Sequence, residues 1–322
     1  MAARGELYWG VVDSVLYINN VQDATYAKTK YTQTSTATSA PWSSLTTYTR
    51  VIFGSNYLSV FNCIGWFKNR TKLTGIGPGW DPDEGNVTPA GFGYGHIINC
   101  TSAKEMFSGC TALTFINGID FDEHPVNPKG DLLIEDMSYM FNNCQKLTYY
   151  SLFDSAFSDN SNTSKLTNLS YMFNNCYVLD DFYGVSNLIT KNVTNTSYMF
   201  ANCRAMSYVG MSYRPDINAD NWNTKNITNM SYMFSGCTSI GTSSEWSECK
   251  DWDTSNVTTM ASMFAGCTGM TELDIANFDV TKLTTATSMF NGCSNLQHIY
   301  IKGSANWAAS SLLANSNTMF TL

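Results

Sequence analysis

The chain has 322 residues, of which 14% are charged and 14% aromatic, and 26 Asp+Glu against 18 Lys+Arg give a net charge of -8. An acidic chain with no basic stripe is a poor match for nucleic acid, because phosphate binding depends on clustered cations that release counterions. No apolar run approaches the ~18–20 residues that span a bilayer, so membrane insertion is not expected.

The first sixty residues are distinct from the rest. Leu7-Tyr-Trp-Gly-Val-Val12 and Val15-Leu-Tyr-Ile18 flank Asp13-Ser14, which predicts a hairpin around a polar turn. A Thr/Ser-rich stretch at 32–39 precedes Ala40-Pro41-Trp42 and a strand-like Arg50-Val-Ile-Phe53. Residues 1–59 are therefore expected to form a small β-rich segment that caps or attaches the remainder.

From residue 60 onward the chain repeats. Tyr139-Met-Phe-Asn-Asn-Cys144 recurs at Tyr171–Cys176, with related copies at Glu105–Cys110, Tyr198–Cys203, Tyr232–Cys237, Ser262–Cys267 and Ser288–Cys293. Met-Phe pairs begin at 106, 140, 172, 199, 233, 263 and 289, the period expected of stacked repeat architectures. Trp66-Phe67 and Met319-Phe320 mark degenerate copies, which makes about nine units over 60–322.

Within a unit the apolar residues recur every three or four positions, as in Val257, Met260, Met263, Phe264 and Cys267. This spacing predicts one face of a helix. The residue before the cysteine slot is Asn69, Gly109, Asn143, Asn175, Asn202, Gly236, Gly266 or Gly292, the two types that best accept a left-handed backbone and so end a helix. Three residues past the slot stands Leu73, Leu113, Leu147, Leu179, Met206, Ile240, Met270 or Leu296, followed in the best copies by Leu273 and Ile275 or by Ile299 and Ile301. Together these predict an α/β solenoid: a leucine-rich-repeat stack over 60–322 with parallel short strands on one face and helices on the other. Residues 241–250 break the pattern and are expected to be an insertion loop.

Seven of the ten cysteines fill the repeated slot, Cys63 and Cys100 fall on earlier core positions, and Cys249 stands in the insertion. Cysteines in such a column are expected to be unpaired and buried, and no Cys-x-x-Cys pair suggests zinc. His96, His124 and His298 form no metal-ligand motif, and no nucleophile elbow or phosphate loop is present. Asp120-Phe-Asp-Glu-His124 and Asp81-Pro-Asp-Glu-Gly85 read better as solvated loops than as metal sites, and the ten Asn-x-Ser/Thr sequons read better as helix caps than as glycosylation acceptors. No catalytic residue, metal or cofactor is expected.

Two surfaces remain for binding. The strand positions flanking the buried ones hold Phe115, Tyr149, Asp181, Tyr183, Tyr208, Glu272, Asp274, His298 and Tyr300. Aromatics interleaved with acids suit sugar stacking and hydroxyl hydrogen bonds, or a protein partner; the competing reading is that Tyr is simply a good strand former. The column Tyr139, Tyr171, Tyr198 and Tyr232 is the second surface, read either as a stacked ladder or as a contact between subunits.

The motifs Trp252-Asp-Thr-Ser-Asn-Val-Thr-Thr-Met-Ala-Ser-Met-Phe-Ala-Gly-Cys267 and Met270-Thr-Glu-Leu-Asp-Ile-Ala-Asn-Phe-Asp279 resemble the BspA-like bacterial surface-protein and mycoplasma lipoprotein type of leucine-rich repeat. The run Ile299-Tyr-Ile with Trp307 is similar to that family's terminal unit, and Ala40-Pro41-Trp42 to its N-terminal region. The resemblance implies a curved solenoid that binds proteins or glycans at cell surfaces without catalysis. The opening residues contain no secretory leader or lipid-attachment cysteine, and a phage particle leaves by lysis rather than export. The expectation is therefore a phage virion fibre, decoration or receptor-binding protein contacting host surface glycan or protein. The alternatives are a cellular surface adhesin, extracellular at the cell surface, or a structural virion protein bridging other virion subunits or copies of itself.

Overall fold

The computed structural model describes residues 3–54, 57–78, 89–90, 92–93, 95–117, 119–121, 133–150, 163–180, 188–207, 222–241 and 248–301. The chain divides into two compact units, Met1–Lys165 and Leu166–Leu322. No α-helix is present among the described residues; the fold is mixed β-sheet, with two short 3-10 turns at Pro41–Ser44 and Glu248–Asp251. The predicted α/β solenoid with helices on one face is thus corrected: every described segment expected to be a helix is a run of tight turns.

In the first unit, β1 (Glu6–Val12) and β2 (Val15–Asn19) form the expected hairpin, with Val12 opposite Val15. Asp13 and Ser14 both have positive φ, 48° and 63°, as the two-residue turn matching strand twist requires. β3 (Thr29–Thr32) pairs antiparallel with β1. On the other side β4 (Arg50–Gly54), β6 (Gly75–Ile76), β9 (Phe115–Ile116) and β11 (Tyr149–Tyr150) follow β2 in parallel. One short strand per repeat therefore extends the N-terminal sheet. β7 (Phe92–Gly93) pairs antiparallel with β4. β5 (Tyr57–Ser59), β8 (Gly95–Ile98) and β10 (Ile119–Phe121) form a second, parallel sheet. In the second unit β12 (Glu272–Asp274) and β13 (His298–Tyr300) are parallel.

The hydrogen bonds of the repeat explain why no helix forms. Met106, Ser108 and Cys110 each donate their N–H to the carbonyl three residues back, at 3.1 Å. The alternate donors Glu105, Phe107 and Gly109 bond instead to Ser138, Met140 and Asn142 of the neighbouring coil at 2.8–3.0 Å. The second unit repeats this: Met233, Ser235 and Cys237 bond locally, while Tyr232, Phe234 and Gly236 bond to Ala261, Met263 and Ala265. A helix would satisfy all of these donors within itself. Here half of them are satisfied only by stacking, so an isolated coil would leave polar backbone unpaired in the core.

Two positions per repeat have a left-handed backbone. The Gly or Asn before the cysteine is one, with φ of 59–77° from Asn69 to Gly292. The other, five residues before the cysteine, is occupied by Glu105, Tyr139, Tyr171, Tyr198, Tyr232, Ser262 or Ser288, at 53–59°. Each is the third residue of a four-residue turn, closed for Glu105 by Met106 N–H to Ala103 O and for Gly109 by Cys110 N–H to Phe107 O, and this is the position that takes positive φ in a type II turn. The asparagines, serines and threonines between them hydrogen-bond locally and compete with helix formation. Asn195 Oδ1 accepts from the N–H of Ser197 and Asn229 Oδ1 from that of Ser231, both at 3.0 Å.

The core is columnar. Phe67, Phe107 and Phe141 stack in the first unit at 5.3 and 5.5 Å between ring centres. Phe173, Phe200, Phe234, Phe264 and Phe290 stack in the second at 5.6–5.8 Å, with interplanar angles of 3–7°. Identical residues at one turn position, repeated at the coil spacing, necessarily lie over one another.

A candidate recognition surface on paired parallel strands

β12 and β13 place their side chains alternately inward and outward, as pleated strands must. Leu273 is buried and Ile299 half-buried, while Glu272, Asp274, His298 and Tyr300 are exposed. The register sets Glu272 beside His298 and Asp274 beside Tyr300. The Tyr300 hydroxyl approaches Glu272 Oε2 diagonally at 3.5 Å, and Asp274 Oδ1 is held by the N–H of Ala276 at 2.9 Å. Gln297 N–H to Thr271 O (2.8 Å) and Ile275 N–H to Tyr300 O (2.9 Å) fix the two rungs. The result is a small outward patch of two carboxylates, an imidazole and a phenol, Tyr300 being 51% exposed, on paired, hydrogen-bonded backbone. Carboxylates accept hydrogen bonds from hydroxyl or amide donors, and the phenol adds an apolar face.

The other candidates are not brought to this patch. Phe115 lies in the first unit, half-buried, with its ring over Gly75; a Cβ there would lie 2.2 Å from Phe115 Cζ. The Arg50 guanidinium sits 5.9 Å from that ring's centre, so Phe115 is a packing residue of its sheet. Tyr149 is in β11, in register with Phe115, and its side chain lies outside the described residues. Asp181, Tyr183 and Tyr208 also lie outside them.

The tyrosine column is a stacked ladder. Tyr171, Tyr198 and Tyr232 lie face to face at 4.3 and 4.4 Å with an interplanar angle of 8°, so each inner ring face is occupied by a neighbour. Threonines form a further column that spacing alone does not reveal. Thr228, Thr258 and Thr284 each send both N–H and Oγ1 to the carbonyl of the preceding member, Thr194, Thr228 and Thr258 respectively, at 2.7–3.1 Å. The signal was their recurrence beside the asparagines, which the helical reading assigned to caps.

The slot cysteines serve the core. The thiols of Cys110, Cys144, Cys203, Cys237, Cys267 and Cys293 each donate to the phenylalanine carbonyl of the preceding coil at 3.0–3.2 Å. Cys176 is likewise buried and is not part of a disulfide. Burial pushes the thiols of Cys203, Cys237 and Cys267 well above the ordinary range and that of Cys110 up to about 12. Such thiols are inert as nucleophiles. Cys63 and Cys100, expected on helices, lie instead in neighbouring coils. Among the described residues no group of three or more His, Cys, Asp or Glu is placed to hold a metal, and no helix is long and apolar enough to cross a membrane. Asp120 and His96 are in register on β10 and β8, whereas His124 and residues 81–85 lie outside the described set.

A search of curated proteins gave no match. Among solved structures, a leucine-rich cell surface protein from Faecalibacterium prausnitzii A2-165 aligns over 96% of this chain and 97% of its own, with 14% identity and a TM-score of 0.24. The profile of the family described as "Mycoplasma protein of unknown function, DUF285" matches residues 101–215 and 207–322. These spans take in the Met-Phe/Gly-Cys repeats from Glu105 onward, and the chain belongs to this DUF285 family.

Proposed function

We propose that the protein is a non-enzymatic recognition module displayed at a cell surface, where the outward face of β12 and β13 binds a hydroxyl-rich glycan. The observation that carries this reading is the alignment of Glu272, Asp274, His298 and Tyr300 on one exposed face, held by paired backbone. Membership of a family described from mycoplasmas supports a cellular surface protein over the virion component expected from the opening residues. The buried thiols of the slot cysteines, held above the ordinary thiol range, support a reading without a cysteine nucleophile. A glycan can use the carboxylates as acceptors for its hydroxyls while a sugar face lies against Tyr300.

The test is binding of the protein to a panel of immobilised bacterial and host-surface glycans, compared with Tyr300→Ala and Glu272→Gln. The substitutions are expected to leave the thermal midpoint within about 2 °C, because both side chains are exposed, and to weaken binding by about 1–3 kcal/mol. Binding unaffected by both changes would move recognition elsewhere. Retention on surface proteins but on no glycan would replace the glycan by a protein ligand.

A further inference from the structure

One cysteine pair departs from the pattern of the column. Cys100 Sγ lies 3.6 Å from Cys63 Sγ, and both residues are buried. Six of the slot thiols donate to a phenylalanine carbonyl, whereas Cys63 has Cys100 as its sulfur's polar neighbour, and Cys100 divides its proton between Cys63 and Ser102 O at 3.3 Å. The coils that carry them are clamped on either side, by Cys63 N–H to Ser102 O at 2.7 Å and Thr101 N–H to Phe61 O at 3.0 Å. The two sulfurs are thus held at contact by backbone that does not depend on them. Closing from this contact to the bonded distance of about 2.05 Å needs a shift of about 1.5 Å, within reach of side-chain rotation.

We infer that Cys63 and Cys100 are a disulfide-forming pair, joined when the chain meets a disulfide oxidant such as oxidised glutathione. One protein thiolate attacks the glutathione disulfide, forming a mixed disulfide and releasing one glutathione thiolate. The second protein thiolate then attacks the protein sulfur of that mixed disulfide and releases the other glutathione. Two protein S–H bonds and one glutathione S–S bond are broken, and one protein S–S bond forms. The protein loses two electrons, and both protons end on reduced glutathione. Because the pair is buried, exchange takes place during folding or transient opening of the segment, not on the closed surface. The bond would join residues 37 positions apart across two rungs of the N-terminal sheet region and lower the entropy of the unfolded chain. This inference is independent of the glycan reading.

The test is to refold the full chain in a buffer of reduced and oxidised glutathione, alkylate under denaturing conditions and map tryptic peptides. Cys63 is alone in the peptide 51–68 and Cys100 alone in 73–104, so a link between these two peptides identifies the pair. The expected result is that two of the ten cysteines resist alkylation, the mass falls by two hydrogens, and only these peptides are joined. Cys100→Ser should leave all nine remaining thiols free. Should that variant not fold, the wild-type peptide map decides alone. Ten alkylated cysteines after oxidative refolding, or a link involving the phenylalanine-tied thiols, would overturn the inference.

Discussion

Ser288 separates a turn-built repeat from a helical one with a single substitution. Its φ is 58°, its surface is half-exposed, and its side chain has no hydrogen-bond partner among the described residues, so a replacement acts chiefly through the backbone. Valine is the least tolerant choice, since a left-handed backbone costs an L-residue about 1–2 kcal/mol and β-branching crowds it further. Serine already bears part of this cost, which places the expected loss for Ser288→Val at about 1–2 kcal/mol. For a unit the size of 166–322 that is a fall in midpoint of about 2–8 °C. Ser288→Gly removes the Cβ and should equal or exceed wild type. In a helix the order inverts: Ser and Val have nearly the same propensity, and Gly is worse than either by a few tenths of a kcal/mol. Urea unfolding of the three proteins, with slopes compared to confirm a common unfolded state, measures the order directly. Valine equal to serine with glycine below both would refute the turn geometry.

Three further outcomes follow from the columns. Tyr198→Ala removes ring stacking on both sides and should cost about 1–3 kcal/mol, at ~0.5–1.5 per pair, whereas Tyr198→Phe should stay near wild type in a thermal melt. Thiol labelling of the native protein under reducing conditions should be slow at Cys110, Cys203, Cys237 and Cys267 and complete only in denaturant; rapid native labelling would contradict their burial. Stability should also fall in alkali. Folding raises these thiols above the unfolded value of about 8.5, so their contribution is fully present below that pH and is lost as pH rises toward the folded values, about 12 for Cys110. A stability plateau extending unchanged through pH 10 would argue against it.

The core was legible in the sequence and its secondary structure was not. Val257, Met260, Met263, Phe264 and Cys267 are all buried, as the spacing predicts. A series of overlapping four-residue turns points a side chain inward about as often as a helix does, so apolar spacing cannot distinguish the two. The Gly or Asn before each cysteine correctly signalled positive φ, but the equivalent positions at Tyr139, Tyr171, Tyr198 and Tyr232 carry no residue that announces it. The Asn-Val-Thr-Thr and Asn-Ile-Thr-Asn runs were the contrary signal, since these residues prefer to bond backbone locally. The hairpin around Asp13-Ser14 was readable because turn type and strand pattern agree. Of the candidate surface, strand alternation located Glu272, Asp274, His298 and Tyr300. It could not tell Phe115 apart, whose ring is claimed by Gly75 and Arg50 through a register that only the paired sheet defines.

Far-UV circular dichroism of the purified native chain tests the central structural claim most directly, because it reads backbone conformation without assuming any contact. Coils built from alternating local and inter-coil hydrogen bonds predict a β- and turn-dominated spectrum without the paired minima of α-helix, lost cooperatively on heating. A native spectrum with strong helical minima, one helix for each Met-Phe repeat, would contradict it.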